Sequence, residues 1–164
     1  ALKRIRAAVD ARRDENFLIM ARTDIRATAD GPAGLALAQD RAKALVDAGA
    51  DAIFPEAMRT LEEFEAIRSA VDVPLLANMT EFGKSELFSV QQLTDVGMNI
   101  VIWPVSMLRI AMGATGRALD TLIDEGHLTG KLGEMQHRAD LYDLIEYEDY
   151  NHFDTSVFNF SVEK

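Results

Sequence analysis

The sequence predicts an α/β fold built on parallel strands, and three observations carry that expectation. Short apolar runs alternate with longer amphipathic stretches from the first residues to Trp103. The segments Asp47-Ala48-Gly49-Ala50 and Asp95-Val96-Gly97-Met98 form a weak internal repeat, each at the return from a helix to a strand. Each apolar run is followed at once by polar or unusual residues. Helix–glycine–strand alternation implies parallel strands joined by right-handed crossovers.

The elements follow in order. Leu2, Ile5 and Val9 have helical spacing, with basic residues on the exposed side. Phe17–Ala21 is a continuous apolar run, as in a strand buried on both faces. Leu35, Ala38, Ala42, Leu45 and Val46 make a helical stripe that stops at Gly49, where a left-handed cap carries no Cβ penalty. Ala52–Phe54 is the second strand. Thr60 and Glu63 fit a capping box ahead of the apolar face Leu61, Phe64 and Ile67. Pro74–Ala77 is the third strand, Ser89 and Gln92 fit a second capping box, and that helix stops at Gly97. Asn99–Trp103 is the fourth strand. Ser106 is placed to cap a helix running to about Glu125, with Gly126 beyond it, and Met135–Ile145 is helical again. Tyr147, Tyr150, Phe153, Phe158 and Phe160 make the tail too aromatic to be merely solvated, so it is expected to pack on something.

Length and composition bound the function. The 164 residues suit one domain, and 48% hydrophobic residues exclude global disorder. A net charge of −10 argues against nucleic acid or anionic membranes as partners. Without cysteine, these residues contain no disulfide, thiolate metal site or cysteine nucleophile. No apolar run reaches the ~18 residues of a membrane span, and no secretory signal is visible. His127, His137 and His152 lack metal-ligand spacing and read as surface or capping residues. There is no GxGxxG, P-loop or GxSxG. Four βα units make either an open four-stranded sheet or half of a (β/α)₈ barrel, since a full barrel needs roughly 250 residues. A half barrel leaves two open edges.

The functional signal lies at the strand ends: Arg22-Thr23-Asp24, Pro55-Glu56, Asn78-Met79-Thr80-Glu81-Phe82-Gly83, and Trp103-Pro104 with Ser106 and Arg109. In barrels and open α/β sheets alike, ligands bind at the C-terminal ends of the strands, so these clusters are expected to share one mouth. Arg22 either forks onto a substrate carboxylate or pairs with Asp24 or Glu56 to shape the loop. Glu56 is a general base, a hydrogen-bond acceptor, or that structural partner. Asn78 and Thr80 either donate to an oxyanion or cap a loop. Arg109, one turn into its helix, either faces the mouth or is solvated.

These strand-end motifs, with Ile19-Met20-Ala21-Arg22-Thr23-Asp24, Phe54-Pro55-Glu56-Ala57, Pro74–Gly83, Pro104-Val105-Ser106 and Met135-Gln136-His137-Arg138-Ala139-Asp140-Leu141-Tyr142, make the chain resemble the isocitrate lyase/phosphoenolpyruvate mutase superfamily, specifically its 2-methylisocitrate lyases. The resemblance covers essentially the whole chain. It implies the C-terminal half of a (β/α)₈ TIM barrel. Residues 1–126 would be its last four βα units, and residues 127–164 a C-terminal helical extension and aromatic tail exchanged between subunits of a dimer or tetramer. It implies carbon–carbon cleavage of 2-methylisocitrate to pyruvate and succinate in propionate breakdown, with Mg²⁺ or Mn²⁺, in the cytoplasm. Arg22, Glu56, Asn78, Thr80, Arg109 and Arg138 match substrate-binding positions, as a tricarboxylate requires. Related 2-oxo-acid chemistries (oxaloacetate decarboxylase, dimethylmalate lyase or phosphonate type) and a non-catalytic half barrel that binds a partner are the alternatives.

The departures are specific. The family's catalytic cysteine lies in a Lys-Arg-Cys-Gly loop, whereas Lys3-Arg4 here precedes Ile5. Its metal-binding acids belong to earlier strands. No catalytic residue and no metal ligand is therefore expected within this segment, and the chain is expected to be incompetent alone. Trp103 stands where a tyrosine is frequent. Ala29–Gly34 reads as a loop insertion at the mouth.

Overall fold

The computed structural model of the protein describes residues 1–159; Phe160, counted above in the aromatic tail, lies outside them. The chain divides into two compact units, Ala1–Arg109 and a second beginning at Ile110.

The first unit is the α/β layer. Its elements are α1 (Leu2–Ala11), β1 (Met20–Thr23), α2 (Gly31–Asp47), β2 (Ala52–Pro55), α3 (Leu61–Ala70), β3 (Leu76–Asn78), α4 (Val90–Asp95), β4 (Ile100–Ile102) and the start of α5 (Ser106–Glu125). All pairings are parallel. Met20 lies opposite Ala52 and Thr23 opposite Pro55, while Leu76 lies opposite Ile100 and Asn78 opposite Ile102. The two pairs meet through a single parallel bridge, Ile53 to Leu75, where the Ile53 amide donates to the Pro74 carbonyl at 3.0 Å. Pro74 has no N–H to extend that ladder. The strands therefore lie in chain order, as successive βα units of a barrel do.

Alternation along the strands separates two faces. Ala21, Ile53, Leu75, Ala77 and Val101 join the core with Leu45, Phe64, Ile67 and Leu93 from the helices. Each fully buried Leu, Ile or Phe of this set contributes about 1.5–3 kcal/mol. The opposite face carries Arg22, Phe54, Asn78 and Ile102, none of them fully buried.

Several boundaries differ from the sequence expectation. The first strand begins at Met20, three residues into the apolar run, because Phe17 and Leu18 lie at an open edge and are 66% and 53% exposed. Asp51 anchors the strand's start by accepting from the Ile19 amide (2.8 Å) and Arg12 (2.7 Å). Ala29–Gly34 is not a loop insertion. Asp30 is the N-cap of α2 and Pro32 lies at its start, where a fixed φ and a missing N–H cost nothing. The Ser89–Gln92 capping box is complete. The Thr60–Glu63 box is half formed: Thr60 accepts from the Glu63 amide, but the Glu63 carboxylate turns elsewhere.

That carboxylate takes Arg26, the largest fully buried side chain, at 2% exposure. Arg26 lies in a 3₁₀ turn, Ile25–Thr28, directly after β1. Its Nη2 and Nε donate to Glu63 at 2.6 and 3.2 Å, and its Nη1 donates to the Ala29 carbonyl at 2.9 Å. The Arg59 amide completes the Glu63 shell at 2.9 Å. Burial raises the Glu63 pKa, but the hydrogen bonds from Arg26 and the Arg59 amide and the two positive charges outweigh it, holding the carboxyl below its usual range.

In the second unit, α5 continues to Glu125 and Gly126 follows at φ +73°, as the sequence suggests. Only part of the Met135–Ile145 stretch is helical: a 3₁₀ turn (Thr129–Glu134) ends just before it, Met135 and His137 are extended, and α6 runs Arg138–Leu144. Then comes α7 (Tyr147–Phe158). His137 caps α6, its Nδ1 accepting from the Ala139 amide at 3.3 Å. Tyr142 and Tyr147 stack at 4.5 Å, while Phe153 and Phe158 stay 68% and 90% exposed.

The Arg26 site generates three predictions. A Cβ on Gly34 would lie 2.0 Å from the Ala29 carbonyl oxygen and 2.8 Å from Arg26 Nη1. Gly34→Ala should therefore lower the melting temperature, although alanine in a helix interior is ordinarily favoured by about 1 kcal/mol; an unchanged or raised melting temperature would contradict this packing. The second concerns acid. A carboxyl whose folded pKa is depressed contributes stability above its unfolded value, about 4.3, and loses it as pH falls through the folded value. Urea titrations from pH 6 down to pH 3 should show a loss for wild type that Glu63→Gln lacks. Arg26→Met at pH 7 should cost about 3–5 kcal/mol by leaving a buried charge unpaired.

Candidate active site

The parallel order puts all four strand C-termini at one edge, and three of them are bonded side chain to side chain. Arg22, at the penultimate position of β1, donates to Asp24 at 2.8 and 3.2 Å and reaches Glu56 at 3.4 Å. Its guanidinium lies 4.8 Å from the centre of the Phe54 ring, its register partner on β2. The hydrogen bond to Arg22 holds Asp24 below the ordinary carboxylate range against its partial burial. Glu56, just past β2, accepts from Asn78 Nδ2 at 3.2 Å. Asn78 ends β3, and its Oδ1 is buried without a partner. An orphaned buried acceptor of this kind marks a place where a donor is expected.

The third and fourth strand ends are joined by a second cluster. Arg109 Nη1 donates to Thr80 Oγ1 (3.4 Å), to the Glu81 carbonyl (3.1 Å) and to Glu81 Oε2 (3.0 Å). Ser106, 4% exposed, turns its single O–H to the two Glu81 oxygens at 2.6 and 2.8 Å. Ser106 thus opens α5, as expected, but its hydroxyl serves Glu81 instead of capping the helix. Glu81 is held below the usual carboxylate range first by the Ser106 hydroxyl, then by its own amide and Arg109.

Between the clusters is a cleft of about 300 Å³ lined by Asp24, Ala27, Glu56, Ala57, Asn78, Thr80, Gly83, Lys84 and Ser85. Three residues at this edge, Ala57, Phe82 and Val105, have positive φ of 66°, 62° and 57° without being glycine. Left-handed backbone at such residues costs on the order of 1–3 kcal/mol each and is typical of functional loops.

Arg22, Glu56, Asn78, Thr80 and Arg109 are thus brought to one edge. Arg138 belongs to the second unit, where it opens α6, exposed and without a side-chain hydrogen bond among the described residues. Sequence reasoning missed Arg26, whose burial no local pattern announces, and Lys84 and Ser85, which line the cleft. It quoted Glu81 within a motif without giving it a role. Among the described residues no three His, Asp or Glu side chains gather into a metal site. The resemblance places the Mg²⁺ or Mn²⁺ ligands on earlier strands, outside these residues.

The comparisons with known proteins agree with this architecture. The sequence model of the family described as Phosphoenolpyruvate phosphomutase matches residues 1–123. The chain belongs to that family. It is 52% identical over 162 residues to the "Probable 2-methylisocitrate lyase 2" of Corynebacterium glutamicum, covering 99% of this chain and 52% of that protein. It is 44% identical over 144 residues to the 2-methylisocitrate lyase of Salmonella typhimurium, covering 88% and 48%. Among solved structures, oxaloacetate acetylhydrolase with the product oxalate superposes with a TM-score of 0.80 at 30% identity, over 96% of this chain and 54% of that one. A 2,3-dimethylmalate lyase gives 0.76 at 28% identity, over 95% and 54%. The chain spans about half the length of the curated relatives it matches. No described helix is long and apolar enough to cross a membrane.

The Glu56–Asn78 contact can be tested directly. Asn78→Asp would set two carboxylates about as close as the present 3.2 Å contact, raising the pKa of the pair in the folded state. Relative to wild type, that variant should be least destabilised at low pH and more so as pH rises above the unfolded carboxylate value of about 4, the reverse of Glu63. A stability difference from wild type that shrinks or stays level between pH 3 and 7 would contradict the contact.

Proposed function

We propose that this chain is the C-terminal half of a (β/α)₈ barrel that cleaves 2-methylisocitrate to pyruvate and succinate. Residues 1–126 would be the last four βα units and residues 127–164 the helical extension. The observation that carries the reading is the bonded series Arg22–Glu56–Asn78 across three strand ends, with Thr80 and Arg109 beside it and one acceptor on Asn78 left orphaned. A tricarboxylate needs several cations on a rigid frame, and this edge supplies them within a chain of net charge −10.

The roles follow from the chemistry. Arg22 and Arg109 bind carboxylates of the substrate, and Arg138 adds a third cation. Asn78 and Thr80 hold the half that leaves as succinate, their donors opposing the charge that develops as the carbon–carbon bond breaks. Glu56 orients Arg22 and Asn78. The divalent metal and the cysteine acid belong, in this proposal, to barrel segments outside these residues. A cytoplasmic homo-oligomer that exchanges its C-terminal helices completes the reading. The exposed Phe153 and Phe158 support the exchange. The similarity to oxaloacetate acetylhydrolase and dimethylmalate lyase favours a second reading, cleavage of a smaller 2-oxo or 2-hydroxy acid.

The test is a substrate panel on the protein with its barrel complete. Methylisocitrate should be the best substrate, and Arg22→Lys should lower kcat/KM by about 10²-fold, the equivalent of one lost charged fork. The 164-residue chain alone should release no pyruvate. Faster turnover of a four-carbon acid would move the assignment to the second reading.

A further inference from the structure

Arg109 is held by one nitrogen only. Its three hydrogen bonds, to Thr80 Oγ1, the Glu81 carbonyl and the Glu81 carboxylate, all leave from Nη1. Among the described residues, Nε and Nη2 make no hydrogen bond. Those two donors are parallel and form the fork that matches a carboxylate in a bidentate pair. The Phe82 ring, 5.6 Å from the guanidinium carbon, adds a cation–π contact at the same group.

The grip itself is anchored. Glu81 is fixed by the buried Ser106 hydroxyl, whose single O–H faces both carboxylate oxygens at 2.6 and 2.8 Å, and Ser106 and Arg109 are one turn apart on α5. Backbone strain brackets the device, with Phe82 at φ 62° after Glu81 and Val105 at φ 57° before Ser106. A loop held in this way tolerates little drift of Arg109. An arginine free to rotate would lose side-chain entropy on each binding event, and one already seated loses less.

We propose that Glu81, anchored by Ser106, is a positioning residue that seats Arg109 with its Nε–Nη2 fork free for a substrate carboxylate. The proposal rests on the reading of Arg109 as a carboxylate-binding residue. Glu81 touches no substrate in it and acts through Arg109.

Two measurements test it. The first needs no substrate: side-chain ¹⁵N NMR of the arginines in this chain, with Arg109→Lys assigning the signal. Wild type should show an Arg109 guanidinium with hindered rotation and slow Nε–H exchange. Glu81→Ala should restore free rotation and fast exchange, and Ser106→Ala should lie between. An Arg109 signal that is already free in wild type, or unchanged by Glu81→Ala, overturns the clamp. The second is a double-mutant cycle on KM for methylisocitrate in the protein with its barrel complete. Glu81→Ala should raise KM about tenfold, the scale of one charged hydrogen bond, with a smaller effect on kcat. In the Arg109→Lys background Glu81→Ala should add nothing further; additive effects on KM mean that Glu81 acts only on the fold and overturn the proposal. Glu81→Gln, which keeps an acceptor for Ser106, should be intermediate and serves if the alanine variant does not fold. If Arg109→Lys itself leaves KM unchanged, the carboxylate-binding reading of Arg109 fails and positioning fails with it, while the NMR still reports whether the clamp exists.

Discussion

The buried Arg26–Glu63 pair is the constraint on which the mouth depends. It joins residues 37 apart, one in the turn after β1 and one in the first turn of α3. The turn after β1 continues directly from Arg22 and Asp24, and α3 follows the loop that carries Glu56. Fixing Arg26 to Glu63 therefore fixes two strand-end loops to each other through groups that never reach the cleft. The pair is charged and mostly buried, at 2% and 14% exposure, and each nitrogen of the guanidinium is bonded, so its removal as a unit would cost far less than the loss of either member. Such a pair tolerates few alternative loop arrangements, because each alternative would strand a charge. Gly34 belongs to the same device, since only a residue without a side chain lets α2 approach the Ala29 carbonyl and Arg26 this closely.

The edge that results is electrostatically self-balanced. Arg22 is matched by Asp24 and Glu56, and Arg109 by Glu81. The two alternatives the sequence left open for Arg22, ligand binding or an ion pair with its neighbours, therefore describe successive states of one site in the proposed reaction. In that reaction Asp24 and Glu56 hold Arg22 while no anion is bound and an anion then competes for it, whereas Glu81 keeps Nη1 of Arg109 and leaves the other side of that guanidinium open. The exposed pairs add little stability by themselves. Their value is geometric, as they hold long side chains that would otherwise sample many rotamers.

Much of the first unit was legible in the sequence, and the reasons differ by element. The helices and their glycine stops are set by local chemistry, and Gly97 shows it with a φ of +82°. The Ser89–Gln92 box is likewise local. The start of β1 was not legible, because hydropathy marks Phe17 and Leu18 as apolar but cannot say that they lie at an edge without a paired neighbour. The half-formed Thr60–Glu63 box and the diverted Ser106 hydroxyl fail for one shared reason. In both, a side chain suited to a local cap is claimed by a charged partner at least 25 residues away, and propensity is blind to that competition. At the mouth, residue types and order were enough to gather Arg22, Glu56, Asn78, Thr80 and Arg109, since parallel topology sends every strand end to one edge. What holds those residues was hidden, because Arg26 and Glu81 act through long-range contacts.

The distribution of apolar surface separates what this segment does for stability from what it does for function. The core-facing side of the strands is filled by the chain's own helices, down to 0% exposure at Ile53 and Leu75. The flanks are different: β1 pairs only with β2 and β4 only with β3 among the described strands, and Phe17, Leu18 and Trp103 remain open beside them. Each βα unit packs mainly on its neighbours, so a run of four can bury its own helices while leaving its two outermost ladders unsatisfied. The strand-end loops depend on the first property and not on the second, because the Arg26–Glu63 pair and the Glu81 clamp lie wholly within these units. The geometry of this edge is therefore set locally, and in the proposed reading closing the ladders would not have to reshape the residues assigned to binding.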